Sequence, residues 1–197
     1  MRWIGRLGVV ILFFALSSAP SRANAGQPTP QLSATINEFV DILVNTPVSE
    51  LRTKGLPQNA LALVFGRFDF AEMTKRSLGQ HWDALGTSER REFVDAFTQR
   101  LLIAYGRTVR ASGDEKVRFE REELDGRYST VETKVISSGG AETAIDYRLH
   151  AIDGQWKVYD MVIEHVSIVN NYRAQFDRVI AKSSVKELLQ KMKQHDS

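Results

Sequence analysis

Asp160 and Tyr147 come closest in this sequence to a catalytic arrangement. If Asp153 and Gly154 form a two-residue hairpin turn, Tyr147 lies directly opposite Asp160 on the apolar face of two paired strands. An apolar site raises the pKa of a carboxyl group, and proton-shuttling isomerases use an aspartate beside a tyrosine. The alternative is a structural Asp160, held in a buried ion pair or hydrogen bond. Its partner would then be one of three arginines: Arg107, Arg148 or Arg173.

Other groups with catalytic or metal-binding chemistry are scattered along the chain. No serine has the context of a nucleophile elbow, and there are no cysteines for thiolate catalysis, disulfides or thiolate-bound zinc. The histidines lack metal-ligand spacing with one another or with a carboxylate: His81, His150, His165 and His195. We therefore predict no metal and no cofactor.

The first 25 residues have the layout of a secretory signal peptide. Arg2 and Arg6 precede a ten-residue apolar run, and the small-residue triplet at 23–25 follows it. Crossing a bilayer takes about 20 apolar residues, so we expect cleavage after Ala25 and export to a bacterial periplasm. Without this segment the chain keeps 23 basic residues against 24 acidic ones, and this balance does not support nucleic acid as a partner.

Hydrophobic periodicity predicts one domain, 26–197, that begins and ends with helices. Thr29 is expected to cap the first helix, and Asp69 with Glu72 forms a capping box for another. The remaining helices are predicted at about 47–53, 57–65, 70–78, 88–112 and 167–182, with a last one from Ser184.

Between these helices lies a block of residues typical of strands. Val, Ile, Tyr and Thr are enriched, and turn pairs punctuate the block. The predicted strands are 116–123, 127–137, 141–152 and 155–163. The fold class is therefore α+β: a four-stranded antiparallel meander that helices cover on one face.

The strand register follows from keeping apolar side chains on one face. Three-residue loops at 138–140 and 124–126 place Val131 opposite Tyr147 and beside Phe119. The same register turns Val162 inward and Met161 outward. Periodicity alone leaves open whether the interior is a filled core or encloses a cavity.

Several segments, in order, resemble the MlaC, or toluene-tolerance, family of periplasmic phospholipid-binding proteins. The resemblance covers about 33–193, nearly all of the predicted mature chain. It departs at His165, where the family typically has a small residue such as glycine. It rests on the segment 68–82, the helical stretch 92–105, Asp-Tyr-Arg-Leu at 146–149, Gly-Gln-Trp-Lys-Val-Tyr-Asp at 154–160, and 166–176.

The resemblance implies a lipid carrier rather than an enzyme, with a phospholipid held in an apolar cavity between sheet and helices. Its implied partners are an outer-membrane lipoprotein complex and an inner-membrane ABC transporter with a substrate-binding ring protein. A related branch is associated with hopanoid lipids, and the sequence does not separate the two branches. We expect a monomer, with a cavity lined by Phe70, Met73, Trp82, Phe93, Phe97, Leu101, Tyr105, Val131, Tyr147, Leu149, Trp156, Val158, Val162, Val166, Tyr172 and Phe176.

Overall fold

A computed structural model describes residues 26–106 and 116–194 of the chain. The predicted signal peptide, 1–25, lies outside the described residues, and so do Arg107 and His195. The first helices are α1 (Pro28–Val44), α2 (Val48–Lys54), α3 (Gln58–Arg67), α4 (Phe70–Leu78) and α5 (Thr87–Gly106), with a short 3-10 turn at Gly79–His81. The last two are α6 (Ile168–Lys182) and α7 (Val185–Gln194).

Helix starts follow the predicted capping residues in two cases. The Asp69 side chain accepts a hydrogen bond from the backbone N–H of Glu72, and Ser184 Oγ accepts one from the N–H of Glu187. The predicted cap at Thr29 is wrong, because α1 already begins at Pro28. The Thr29 hydroxyl instead donates a hydrogen bond to the carboxylate of Glu122, which ties α1 to the first strand.

The sheet is an antiparallel meander of five strands, not four. In spatial order they are β1 (Lys116–Asp125), β2 (Tyr128–Ile136), β3 (Glu142–Ile152), β4 (Gln155–Ile163) and β5 (Val166–Ser167). The last strand was missed because two residues are too few to show an alternating pattern. It pairs with the end of β4 and leads directly into α6.

The predicted register is confirmed for β2 and β3, where Val131 faces Tyr147. Between β1 and β2 it is wrong: Asp125 pairs with Tyr128 around a two-residue turn. A bulge near Phe119 then places that side chain opposite Thr133 instead of Val131. The turn explains the tighter connection, since Gly126 has a φ of +57°, a conformation that glycine adopts without steric cost.

A second bulge changes which side chains of β4 face inward. Leu149 pairs with Val158, but Arg148 pairs with Asp160, so Tyr159 is the extra residue. One extra residue moves every later side chain of that strand to the other face relative to its neighbour. The inward positions opposite Ile145 and Tyr147 are therefore taken by Ile163 and Met161. The predicted inward place of Val162 is wrong, because it pairs with Asp146 on the other face.

The turn between β4 and β5 explains why the resembled family typically has a glycine where this chain has His165. Glu164 and His165 both have positive φ, +46° and +66°, as the two central residues of a tight hairpin turn require. A residue with a side chain is strained in this conformation, whereas glycine is not. The glycine typical of the resembled family thus suits the backbone better than the histidine does.

We expect His165→Gly to raise the free energy of unfolding by about 0.5–1 kcal/mol. Removing the left-handed strain stabilises the folded state by about 1–2 kcal/mol. The greater flexibility of glycine in the unfolded chain destabilises the fold by about 0.5–1 kcal/mol, so the net change is a gain. Urea denaturation measures the change. Ala141→Gly is the matched control, since Ala141 is an exposed hairpin residue without positive φ, and it should not stabilise the protein. An unchanged or lower stability of His165→Gly would contradict the strain argument.

Most of the buried apolar residues form two clusters. The helical cluster joins α4, α5, α6 and α7 around Phe93 and Phe97. The sheet cluster joins α1 to strands β2, β3 and β4 around Leu32, Val131 and Leu149. The interior thus consists of a helical layer and a sheet layer, each with its own packed centre.

Candidate functional site

Nearly all of the predicted lining residues belong to one of the two clusters or pack against one. Tyr147 packs against the sheet cluster, whose predicted members are Val131, Leu149, Trp156 and Val158. The other predicted residues that lie inside are in or against the helical cluster: Phe70, Met73, Trp82, Phe93, Phe97, Leu101, Tyr105, Tyr172 and Phe176.

Two predicted residues lie elsewhere. Val166 is a surface residue, with 57% of its area exposed, because it stands at the free edge of the sheet in β5. Val162 is buried at 7% exposure but faces Ser167 and the start of α6. By register Val166 shares the face of Ile163 and Tyr147 but stays exposed at the edge, whereas Val162 lies on the opposite face.

We name the contact region between the two clusters the seam. Phe68 and Met161 define it, because each packs against both clusters. Tyr147 faces Met161 across the strands and is itself only partly buried. Sequence reasoning missed Met161, since only the Tyr159 bulge turns it inward.

Aromatic rings lie at the centre of the helical cluster. Phe97 stands edge-on to the rings of Tyr172 and Phe176, with centroid distances of 4.9 and 5.4 Å. Such edge-to-face pairs are favourable in apolar surroundings. Tyr105, near the end of α5, packs against the same cluster but stays partly exposed. The helical cluster therefore consists of hydrocarbon and aromatic side chains without charge.

Asp160 is a structural anchor in the described residues. One carboxylate oxygen accepts from the backbone N–H of Val169 at 3.0 Å. The other accepts from Ser167 Oγ at 2.7 Å and from the Arg148 guanidinium at 3.1 Å. The carboxylate is thus held by three donors, and Met161 rather than Asp160 faces Tyr147. The predicted Asp160–Tyr147 pair is wrong, and the anchor alternative, with Arg148 as the partner, matches the geometry.

A second buried acid–base pair lies on the face of the sheet that points away from Tyr147 and Leu149. His150 Nε2 is 3.0 Å from Asp69 Oδ2, and the His150 ring is 4% exposed. Tyr128 stacks on this ring, Tyr159 stands edge-on to it, and the Arg76 guanidinium lies over Tyr159. The pair fixes the start of α4 to β3. Sequence reasoning placed His150 on the outer face correctly but missed its burial, which comes from α4.

The His150 hydrogen bond lowers the pKa of Asp69. A lowered folded-state pKa gives stability that is present above the unfolded pKa, about 3.9, and is lost as pH falls through the folded value. Asp69→Asn should therefore cost about 1–2 kcal/mol at pH 7 and flatten the loss of stability below pH 4. Urea unfolding between pH 7 and pH 2.5 measures both effects.

Asp177→Asn is the matched control for this prediction. Asp177 is also 3.0 Å from a histidine, His81, but its side chain is 50% exposed. An exposed pair contributes about 0–1 kcal/mol, so this variant should change little. Equal losses in the two variants would contradict the role given to the buried pair.

A hollow of about 730 Å³ lies away from the predicted lining residues. It opens between α1, α3 and the start of β4, and Arg67 and Lys157 are among its lining side chains. Within 26–106 and 116–194, no three or more histidine or acidic side chains are grouped to hold a metal ion. In the same ranges no helix combines the length and hydrophobicity of a membrane span.

The fold and interior define a class: an α+β protein in which a meander and a helical layer meet along an apolar seam. The chain belongs to the MlaC protein family, whose model matches residues 33–194. The family assignment predicted from the ordered segments is thereby confirmed.

Curated relatives and a solved structure are consistent with this assignment. An intermembrane phospholipid transport system binding protein MlaC from Haemophilus influenzae is 26% identical over 125 residues, 61% of this chain and 58% of that protein. Toluene tolerance protein ttg2D from Pseudomonas putida is 26% identical over 89 residues, 45% of this chain and 41% of that protein. The matched regions thus span about half the length of these relatives.

A phospholipid-binding protein from Ralstonia solanacearum, solved in complex with a phospholipid, has the same fold. The TM-score is 0.76 at 23% identity, and the match covers 85% of this chain and 96% of the other. At this identity the likeness is one of fold.

Proposed function

We propose that the protein is a periplasmic carrier that holds one phospholipid with its acyl chains inside the seam. Family membership supports this, together with relatives named for phospholipid transport and a structural neighbour that binds phospholipid. Its partners in this proposal are an outer-membrane lipoprotein complex and an inner-membrane ABC transporter with its substrate-binding ring protein. The chain itself performs no reaction, in keeping with an Asp160 whose oxygens are already bonded.

The observation that carries the proposal is the makeup of the seam. Met161 packs against both clusters, and Tyr147 and Ile163 beside it are apolar but only partly buried. Side chains of this kind can separate without breaking a polar network. Methionine, with its flexible thioether, also adapts to acyl chains of different shape.

The attachment of the helical layer suits opening along the seam. Helices α4 and α6 pack on β4, and α6 follows directly from β5. Asp160 and the Asp69–His150 pair hold these helices to the β3–β4 side of the sheet. The helical layer is thus anchored near one edge, and movement about that edge would open space over β2 and β3.

A carrier is needed because of the cost of exposing acyl chains to water. At about 0.8 kcal/mol per buried CH₂, two chains of about sixteen carbons represent on the order of 25 kcal/mol. Two such chains need space at or beyond the upper end of the usual pocket range, about 300–1,000 Å³. Phe68 and Met161 pack against both clusters, so in this proposal the two layers part to admit the acyl chains.

Extraction of lipid from vesicles tests the proposal. Protein freed of lipid is mixed with vesicles of a diacyl phospholipid, the vesicles are pelleted, and phosphorus in the supernatant is measured. We expect phospholipid in the supernatant to rise with protein concentration and to level at about one molecule per chain. Phosphorus no higher than in a protein-free sample would contradict the proposal.

A further inference from the structure

The hollow between α1, α3 and the start of β4 carries positive charge of one sign only. It measures about 730 Å³, and its charged lining residues in the described chain are Arg67 and Lys157. No acidic side chain is among the described residues that line it, and neither cation forms an ion pair with one of them. Other surface cations face carboxylates, as Arg118, Lys134 and Lys193 do. A concave site lined by one sign of charge attracts ligands of the opposite sign, so the hollow is complementary to an anion.

Neutral acceptors hold Arg67 in place at the hollow. Its Nε donates to Thr35 Oγ1 at 2.9 Å. Its Nη1 donates to the carbonyl of Trp156 at 2.6 Å and to Gln31 Oε1 at 3.2 Å. Burial lowers the pKa of Arg67, which reflects the cost of keeping a cation partly out of water without a carboxylate beside it. An uncharged donor could serve the same acceptors without that cost, so the charge itself points to an anionic ligand.

Lys157 supplies a second cation next to Arg67. Its Nζ donates to the carbonyl of Gly66, the residue before Arg67, while Arg67 donates to the carbonyl of Trp156, the residue before Lys157. These two reciprocal contacts keep the two side chains as neighbours. Lys157 is partly exposed, and its ammonium sits on a flexible stem that can turn from a neutral carbonyl to an anion. The hollow thus combines a fixed guanidinium with a movable ammonium.

The size and the walls of the hollow suit a phosphate that carries an organic group. Its volume lies within the range of about 300–1,000 Å³ that is usual for sites of small organic molecules, and a bare phosphate ion needs far less. Ala34, Ala62 and Leu63 give part of the wall an apolar surface for the organic group. The oxygens of one phosphate point in several directions, so a single group can accept from both cations through charge-assisted hydrogen bonds.

We propose that this hollow binds the phosphate group of an organic phosphate ester, with Arg67 and Lys157 as its cationic contacts. The inference stands on the hollow and does not rest on the proposed carrier function. Two sources share the chemistry: the headgroup of a lipid whose acyl chains lie in the seam, and a soluble phosphate ester. The headgroup is a candidate because Trp156, whose carbonyl Arg67 holds, belongs to the sheet cluster and so links the hollow to the interior.

Glycerol 3-phosphate is the probe for this site, and glycerol is its uncharged counterpart. Calorimetric titration of the lipid-free protein at about 0.15 M salt, where exposed charges are largely screened, measures both affinities. We expect one molecule of glycerol 3-phosphate to bind per chain and glycerol not to bind. Arg67→Gln should weaken the binding of glycerol 3-phosphate by about tenfold or more, because a hydrogen bond to a charged group is lost. Lys157→Gln should weaken it by about fivefold, since this cation is more exposed.

Lys182→Gln is the matched control, because Lys182 is exposed in the last turn of α6 and its loss removes the same charge. It should bind glycerol 3-phosphate as the wild type does.

Protein loaded with a diacyl phospholipid separates the two sources. If loading abolishes the binding of glycerol 3-phosphate, the lipid headgroup occupies the hollow; if binding is unchanged, the ligand is a soluble ester. No binding to the lipid-free protein would overturn the inference and leave the carrier function standing. A loss in Lys157→Gln no greater than in Lys182→Gln would overturn it as well, and this comparison decides the matter if Arg67→Gln does not fold.

Discussion

Replacing Asp160 with alanine is expected to lower the free energy of unfolding by about 3 kcal/mol. The Asp160 side chain is 3% exposed and receives bonds from Ser167, Val169 and Arg148. Removing one partner of a buried pair costs about 3–5 kcal/mol, because the other groups stay desolvated and unpaired. The lower end applies here, since the Arg148 side chain is 40% exposed and recovers water. The midpoint of urea unfolding measures the loss.

Asp146→Ala is the matched control for the Asp160 variant. Asp146 lies on β3, two residues from Arg148 and facing the same side of the sheet. It is partly buried, so its removal should change stability by no more than about 0.5 kcal/mol. A loss below about 1 kcal/mol for Asp160→Ala would show that the carboxylate does not anchor α6 to β4. The remaining explanation for its burial would then be a direct role with ligand.

Filling the seam from the sheet side should reduce the lipid that the protein carries. Ile145 lies on the inner face opposite Ile163 and is partly buried, so a larger side chain there extends toward the helical layer. Overpacking a filled space costs about 1–3 kcal/mol. In Ile145→Trp this cost falls on the lipid-loaded state, so the variant should bind lipid on the order of tenfold more weakly. Leu101 and Val158 are poorer positions, since they are 5% and 0% exposed and their substitution would strain the protein itself.

The control for this variant is Glu132→Trp. Glu132 lies on the neighbouring strand β2 but pairs with Asp146 on the outward face, and its side chain is 38% exposed. This variant adds the same indole without touching the seam and should carry as much lipid as the wild type. Equal lipid content in folded Ile145→Trp and Glu132→Trp proteins would place the acyl chains elsewhere.

The sequence predicts elements well where the signal is local. Helix α4 was predicted at 70–78 and spans Phe70–Leu78, because Asp69 caps it and Gly79 ends it. The register of β2 and β3 also follows from the sequence, since a slip would turn Val131 and Tyr147 to water. These features depend on neighbouring residues and on one buried face.

Features that depend on distant contacts were not predictable in this way. Asp160, Met161 and Ile163 interrupt the polar–apolar alternation of β4, but this interruption alone does not locate a bulge at Tyr159 or show that Met161 faces the seam. The burial of His150 needs α4, about 80 residues away along the chain, which arrives through Asp69. The anchor role of Asp160 needs both the bulge and β5. The residues that decide how the two layers meet are therefore those that periodicity cannot assign.

Native mass spectrometry of the protein purified from its own cells tests the central claim most directly. The account predicts that part of the protein is detected as a complex heavier than the bare chain by the mass of one diacyl phospholipid. Collisional activation should release that lipid. Extraction and fragmentation then identify its chains and headgroup. A hopanoid in place of the phospholipid would keep the carrier but contradict the cargo. Detection of the protein only at the mass of the bare chain, with no bound lipid even after incubation with membranes, would contradict the account.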